Sequence, residues 1–159
     1  MRPSSAAFTA ACVRSEAFDE IDGGAGNDTN LSGSASNDEL SGSSGADILR
    51  GNDGNDVLYG GNGADYISGG TATSLAQNEL YGGPGADTIN AQSPAAFDEV
   101  YGGSGNDLIN AEDDRLYYID CGVYSSPNNA ADDTDKVFAD RVSDDDSVND
   151  VLYECEIVN

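Results

Sequence analysis

The chain has 159 residues, of which 30 are acidic and 6 basic, giving a net charge of −24; it holds 20 Gly and neither His nor Trp. So acidic a chain makes a poor partner for nucleic acid or an anionic membrane, which carry the same sign of charge, and without His any acid–base mechanism would rest on carboxylates alone. Charge in this excess with few aromatics would ordinarily leave a chain disordered, so its natural partner is a cation.

Residues 1–18 form an N-terminal lead or cap. Within them "MRPSSAAFTAACV" (1–13) has one Arg before a short small-residue run. That is the outline of a secretory-signal remnant without a cleavage site; an N-terminal lead is the plainer reading. No stretch of the chain reaches the roughly 18 apolar residues of a membrane span.

From residue 19 the chain is organised by its aspartates. Turns of the form G-x-x-x-x-D run 23–28, 33–38, 42–47, 51–56, 60–65, 82–87 and 102–107, and from Asp38 to Asp65 the step is nine residues each time. Between turns stands a short segment with one large apolar residue: Leu31, Leu40, Leu49, Leu58, Ile67, Leu80, Ile89, Val100 and Ile109. This is the nonapeptide G-G-x-G-x-D-x-U-x. Its x-U-x part predicts a short strand with one side chain inward, and its glycines a backbone that a Cβ would obstruct.

Two turns and two strands make one coil of 18 residues, so alternate turns stack. Turns at Gly23, Gly42, Gly60, Gly82 and Gly102 fall on a first side, and those at Gly33, Gly51 and Gly69 on a second. Within the repeats the irregular spacings come from insertions on the second side, "GGTATSLAQN" (69–78) and "AQSPAAFD" (91–98). The strands leaving that side, "DELS", "DVLY", "NELY" and "DEVY", support the register.

These tandem nonapeptides resemble the RTX (hemolysin-type) calcium-binding repeats. The resemblance implies an all-β fold, a parallel β-roll (a right-handed β-solenoid) of about six coils over residues 19–120, with Ca²⁺ held between turns stacked on one side. Carried over by position, the first row of the metal site would use Gly23, Gly26, Asp28, Gly42, Gly45, Asp47, Gly60, Gly63, Asp65, Gly82, Gly85, Asp87, Gly102, Gly105 and Asp107. The second row would use Gly33, Asp38, Gly51, Gly54 and Asp56. Ca²⁺ takes six to eight oxygens in a loose shell, which carboxylates and glycine carbonyls supply. The expected count is about five to seven ions, with the first row nearly continuous and one or two ions near Asp38 and Asp56. Ser34, Ser36 and Ser43 depart from the glycine pattern.

Two outward ladders follow from the register: Tyr59, Tyr81 and Tyr101 on one face, and Ile48, Tyr66, Thr88 and Leu108 on the other. The tyrosines are read first as packing that stiffens the face, with an extracellular glycan-binding strip as the sharper reading. The second ladder offers either a face on which an insertion loop lies down or a self-association face. Residues 121–159 are the expected C-terminal cap, which solenoids need over their open ends. Within them "DKVF" (135–138) and "DVLY" (150–153) predict two more strands, and "VLYECEIV" after "DCG" resembles the tail of secreted bacterial RTX proteins. Cys121 opens a first-side turn and Cys155 follows the strand where the next would open, which predicts a Cys121–Cys155 disulfide with Cys12 left over.

No catalytic residue is assigned, since the carboxylates are explained by calcium and no Cys has a His partner. The overall expectation is a secreted, calcium-dependent structural or interaction module, not an enzyme. The alternatives are a filament or surface-layer subunit assembling through roll ends and, third, a small polysaccharide-active enzyme.

Overall fold

The computed structural model describes residues 18–70, 76–92, 98–111, 118–122, 135–139, 151–153 and 155–157. Every element among them is a strand, and the strands form two parallel sheets, each seven strands deep. The first sheet stacks β1 (Glu20–Asp22), β3 (Glu39–Ser41), β5 (Val57–Tyr59), β7 (Glu79–Pro84), β9 (Glu99–Ser104), β11 (Tyr118–Asp120) and β13 (Val151–Tyr153). The second stacks β2 (Leu31–Ala35), β4 (Ile48–Asp53), β6 (Tyr66–Ser68), β8 (Thr88–Asn90), β10 (Leu108–Ala111), β12 (Lys136–Ala139) and β14 (Glu156–Ile157). The chain alternates between the sheets at every step, so each coil lies on the one before it. This is the expected parallel β-roll. No helix among the described residues is long and apolar enough to cross a membrane.

The strands are short because each has one residue to bury. Ile21, Leu40, Leu58, Leu80, Val100 and Ile119 occupy one inward column in direct register. Leu31, Leu49, Ile67, Ile89, Ile109 and Val137 form the facing column. All are fully buried except Ile21 on the first described coil, which keeps 8% of its surface. The core is therefore two files of aliphatic side chains, each rung packed on the next.

Apart from the 33–38 turn, the six-residue turns close the coils with their second residue in a left-handed conformation. Gly61, Gly83 and Gly103 have φ of 99°, 103° and 102° there, and Ser43 and Asn52 hold the same place at 72° and 77°. Ser43 is accommodated by donating its hydroxyl to Asp22 Oδ1 at 2.8 Å.

Turns 23–28, 42–47, 60–65, 82–87 and 102–107 all lead from the first sheet to the second, as the register requires. Those at Gly33 and Gly51 lead back, together with the longer connections 69–78 and 91–98. The first side has a long connection too, between β11 and β12, after the repeats have faded. The strands expected in "DKVF" and "DVLY" are β12 and β13, which extend both sheets past residue 121.

The predicted disulfide is present: Cys121 and Cys155 are bonded, with Cα atoms 5.5 Å apart. β11 and β13 pair in parallel, which brings the residues following them together. Cys12 lies outside the described residues.

Candidate metal centre

The sixth residue of each turn points back under the turn and is buried. On the first side, the backbone N–H of Asp28 donates to Asp47 Oδ1 at 2.7 Å. The same bond recurs at 2.8 Å from Asp47 to Asp65, Asp65 to Asp87, Asp87 to Asp107 and Asp107 to Asp135. On the second side, N–H donors of Asp19, Asp38, Asp56 and Asn78 reach Oδ1 of Asp38, Asp56, Asn78 and Asp98 at 2.8–2.9 Å. Each row is thus a file of carboxylates, broken in the second by the amide of Asn78, at the coil repeat, which parallel strand spacing sets at about 4.8 Å.

One oxygen of each accepting carboxylate is spent on this ladder, which leaves the other for the turn. Oδ2 of Asp47, Asp56, Asp65 and Asp87 is buried without a hydrogen-bond partner. Backbone carbonyls crowd the same spaces. A Cβ added to Gly60 would stand 2.7 Å from both Asp65 Oδ2 and the Gly82 carbonyl oxygen. On Gly42 it would stand 2.5 Å from Asp47 Oδ2 and the Gly60 oxygen, and Gly51 and Gly82 are hemmed in the same way. Glycine at the first turn position therefore lets a carboxylate oxygen and a carbonyl oxygen of the next turn converge where a Cβ would keep them apart.

Burying ionised carboxylates without a compensating charge is costly, and their proton affinity reflects it. Burial, with a smaller contribution from Asp38, Asp98 and Asp53, pushes Asp56 up to about 7, against the lowering effect of its bond from the Asp38 backbone. Asp87 is raised to about 6 by burial and by Asp65, and Asp47 and Asp65 are raised for the same reasons.

An all-oxygen donor set of carboxylates one coil apart plus turn carbonyls suits a hard divalent cation of loose geometry. It does not suit zinc, which takes thiolate or imidazole. Among the described residues no cluster of three or more His, Cys, Asp or Glu side chains could hold a metal. In stacked turns much of the shell must come from backbone, so such a cluster is not required.

The first-row candidates Asp28, Asp47, Asp65, Asp87 and Asp107 stand in one file, with Gly23, Gly42, Gly60, Gly82 and Gly102 at the turn openings. Gly45, Gly63, Gly85 and Gly105 crowd the carbonyls of Gly26, Gly45, Gly63 and Gly85 on the preceding turns, and Gly54 that of Ser36. Asp38 differs from the rest. Its Oδ2 accepts from the Ser34 N–H at 2.9 Å and its Oδ1 from the Ser36 hydroxyl at 3.1 Å, so the serines that break the glycine pattern take up this carboxylate.

Four ladder members were not among the expected site residues: Asp19, Asn78, Asp98 and Asp135. Each directly precedes a strand of the form x-U-x, in "DEI", "NEL", "DEV" and "DKV". That signal outlasts the glycines.

The tyrosine ladder forms as expected. Tyr59 and Tyr81 stack with centroids 5.0 Å apart, Tyr81 and Tyr101 at 4.7 Å, and Tyr118 adds a tilted fourth ring at 5.8 Å. Tyr81 and Tyr101 hydroxyls donate to Glu79 and Glu99, and burial followed by these bonds raises both phenols. On the other sheet Ile48, Tyr66, Thr88 and Leu108 lie in register, with Lys136 next.

No curated protein and no solved structure matched the chain. The family model described as RTX calcium-binding nonapeptide repeat (4 copies) matches residues 15–29, 30–55, 41–72, 76–93 and 95–117, more than half of the sequence. Those segments carry both carboxylate ladders up to Asp107 and the turns that enclose them. On that match and this geometry, the chain belongs to the RTX calcium-binding nonapeptide repeat family.

Proposed function

We propose that this protein is a secreted, non-catalytic structural or interaction module whose roll is held together by Ca²⁺ between stacked turns. The observation that carries this reading is the set of buried, partnerless Oδ2 atoms of Asp47, Asp56, Asp65 and Asp87, each facing a space edged by turn carbonyls. A bound Ca²⁺ supplies positive charge and accepts six to eight oxygen ligands. The chain's residues do the rest. The aspartates provide charge, the glycines leave room, and the Oδ1 ladder fixes each carboxylate before an ion arrives.

The first row is the main site, using Asp28, Asp47, Asp65, Asp87 and Asp107, and Asp56 is the strongest ligand of the second. The Cys121–Cys155 bridge supports an oxidising, extracellular setting, where calcium is plentiful enough for sites of modest affinity. Stiffening suits the tyrosine ladder better than sugar binding does, because stacked rings take up one another's faces and turn their edges outward.

Native mass spectrometry in calcium tests the proposal. Wild-type protein should carry about five ions, and Asp65→Asn should carry fewer. A chain that binds no calcium at millimolar concentration would overturn it.

A further inference from the structure

The second row is interrupted at one rung by an amide, and the orientation of that amide is fixed. Asn78 is 1% exposed and stands where the neighbouring rungs carry Asp56 and Asp98. Its Oδ1 accepts the Asp56 N–H at 2.9 Å, as the carboxylate Oδ1 of Asp56 and of Asp98 does on the neighbouring rungs. Turning the amide over would set an NH₂ group against that N–H, donor against donor. Nδ2 therefore occupies the place that Oδ2 holds elsewhere, and it is buried with no hydrogen-bond partner.

The surroundings say what this nitrogen does. A Cβ on Gly69 would lie 2.7 Å from Asn78 Nδ2 and 3.4 Å from Asp98 Oδ2, so amide and carboxylate border the same space. At Gly42, Gly60 and Gly82 in the first row, the two nearest atoms are a carboxylate oxygen and a carbonyl oxygen. The next turn also opens with Ala91 in place of glycine, and Ala91 is buried. An N–H donor cannot ligate a cation, but its positive end offsets part of the charge of a neighbouring carboxylate.

We infer that Asn78 stands in for a metal ion: its amide closes the space between the Gly69 and Ala91 turns without calcium, and ends the second row there. The inference rests on the calcium-binding reading of the other turns. It assigns this chain an internal residue that decides where an ion is refused, beside the loop-out on the second side.

The test is a gain of binding. Asn78→Asp keeps the acceptor for the Asp56 N–H and replaces the donor by a second carboxylate oxygen facing Asp98. Counted by native mass spectrometry in calcium, the full-length variant should bind one more ion than wild type, and Asn78→Ala should bind no more than wild type. An unchanged count in Asn78→Asp, or an equal gain in Asn78→Ala, overturns the inference while wild-type binding leaves the proposed function standing. Absence of calcium from wild type itself would instead sink the proposed function. Should Asn78→Asp fail to fold, wild-type crystals grown with a lanthanide in place of calcium decide the matter. An anomalous peak between Asn78 and Asp98 refutes the inference, and peaks confined to the other turns support it.

Discussion

At the scale of single residues, the turn glycines are not equivalent. A Cβ on Gly24 meets nothing within 4 Å, and the only obstacle is its φ of 89°, which Ser43 and Asn52 tolerate at the same turn position. Gly24→Asn should therefore cost about 1 kcal/mol or less. On Gly63 a Cβ would run into the Gly45 carbonyl, backbone against backbone, at a φ of 134°. Gly63→Ala should cost about 3 kcal/mol or more and abolish the neighbouring site. Thermal melts of both variants in saturating calcium check the pair, and equal losses would contradict the stacking. The aspartates give a prediction with a change of sign. Asp65→Asn keeps the Oδ1 that accepts from Asp47 but removes a buried charge, so it should stabilise the calcium-free roll and weaken the calcium-bound one. Protons act in the same direction as that substitution. Asp56 and Asp87 titrate at about 7 and about 6 in the folded chain, above the roughly 3.9 of an unfolded aspartate. The folded state then binds more protons than the unfolded one between those values, and stability falls as pH rises through the window. Calcium-free protein should gain β signal in circular dichroism on going from pH 7.5 to pH 5; a loss would show that the buried carboxylates are not what opposes folding.

At the scale of elements, the coils near the C-terminus rely on a different bond. β11 to β14 follow the last glycine–aspartate turn, and the Cys121–Cys155 bridge ties the turn after β11 to the residues between β13 and β14. Closing a loop with a sequence separation of 34 contributes about 3–4 kcal/mol in the chain-entropy model. Reduction should therefore loosen β12, β13 and β14 first, seen as faster amide exchange there while β3 to β8 stay protected by calcium. Uniform loosening would mean that the roll is a single cooperative unit. The strands and the bridge were legible in the sequence because a three-residue strand with one inward side chain writes a fixed period, and two Cys at matching places in that period must meet. The candidate site was legible where glycine and aspartate occur together. It was less so at Asp98 and Asp135, because insertions there replace the glycines while the aspartate before the strand remains. Nor could spacing reveal that Asp38 is taken up by Ser34 and Ser36, since that depends on where one hydroxyl and one N–H point.

At the scale of the whole molecule, the two aliphatic files must hold together a chain of net charge −24. One large inward side chain for each nine residues is a thin core, and ordering many glycines costs more backbone entropy than ordering other residues. The carboxylate ladders add a further cost, since they stack buried charges of one sign at the coil repeat. Each calcium ion contributes two positive charges, so about five would bring the net charge from −24 to about −14 while supplying partners for the buried oxygens. Ions that bind the stacked turns and not the open chain turn their binding free energy into folding free energy. The protein should therefore be largely unfolded where calcium is scarce and fold on meeting an extracellular concentration. A calcium titration followed by circular dichroism should show β structure rising in one cooperative transition, because a turn can hold an ion only once its neighbour is stacked on it. Magnesium at the same concentration should do much less, as it gives up its waters reluctantly and wants tighter octahedral geometry. Full β signal in excess chelator, unchanged by calcium, would mean that the aliphatic files suffice alone and that calcium is a passenger on this fold.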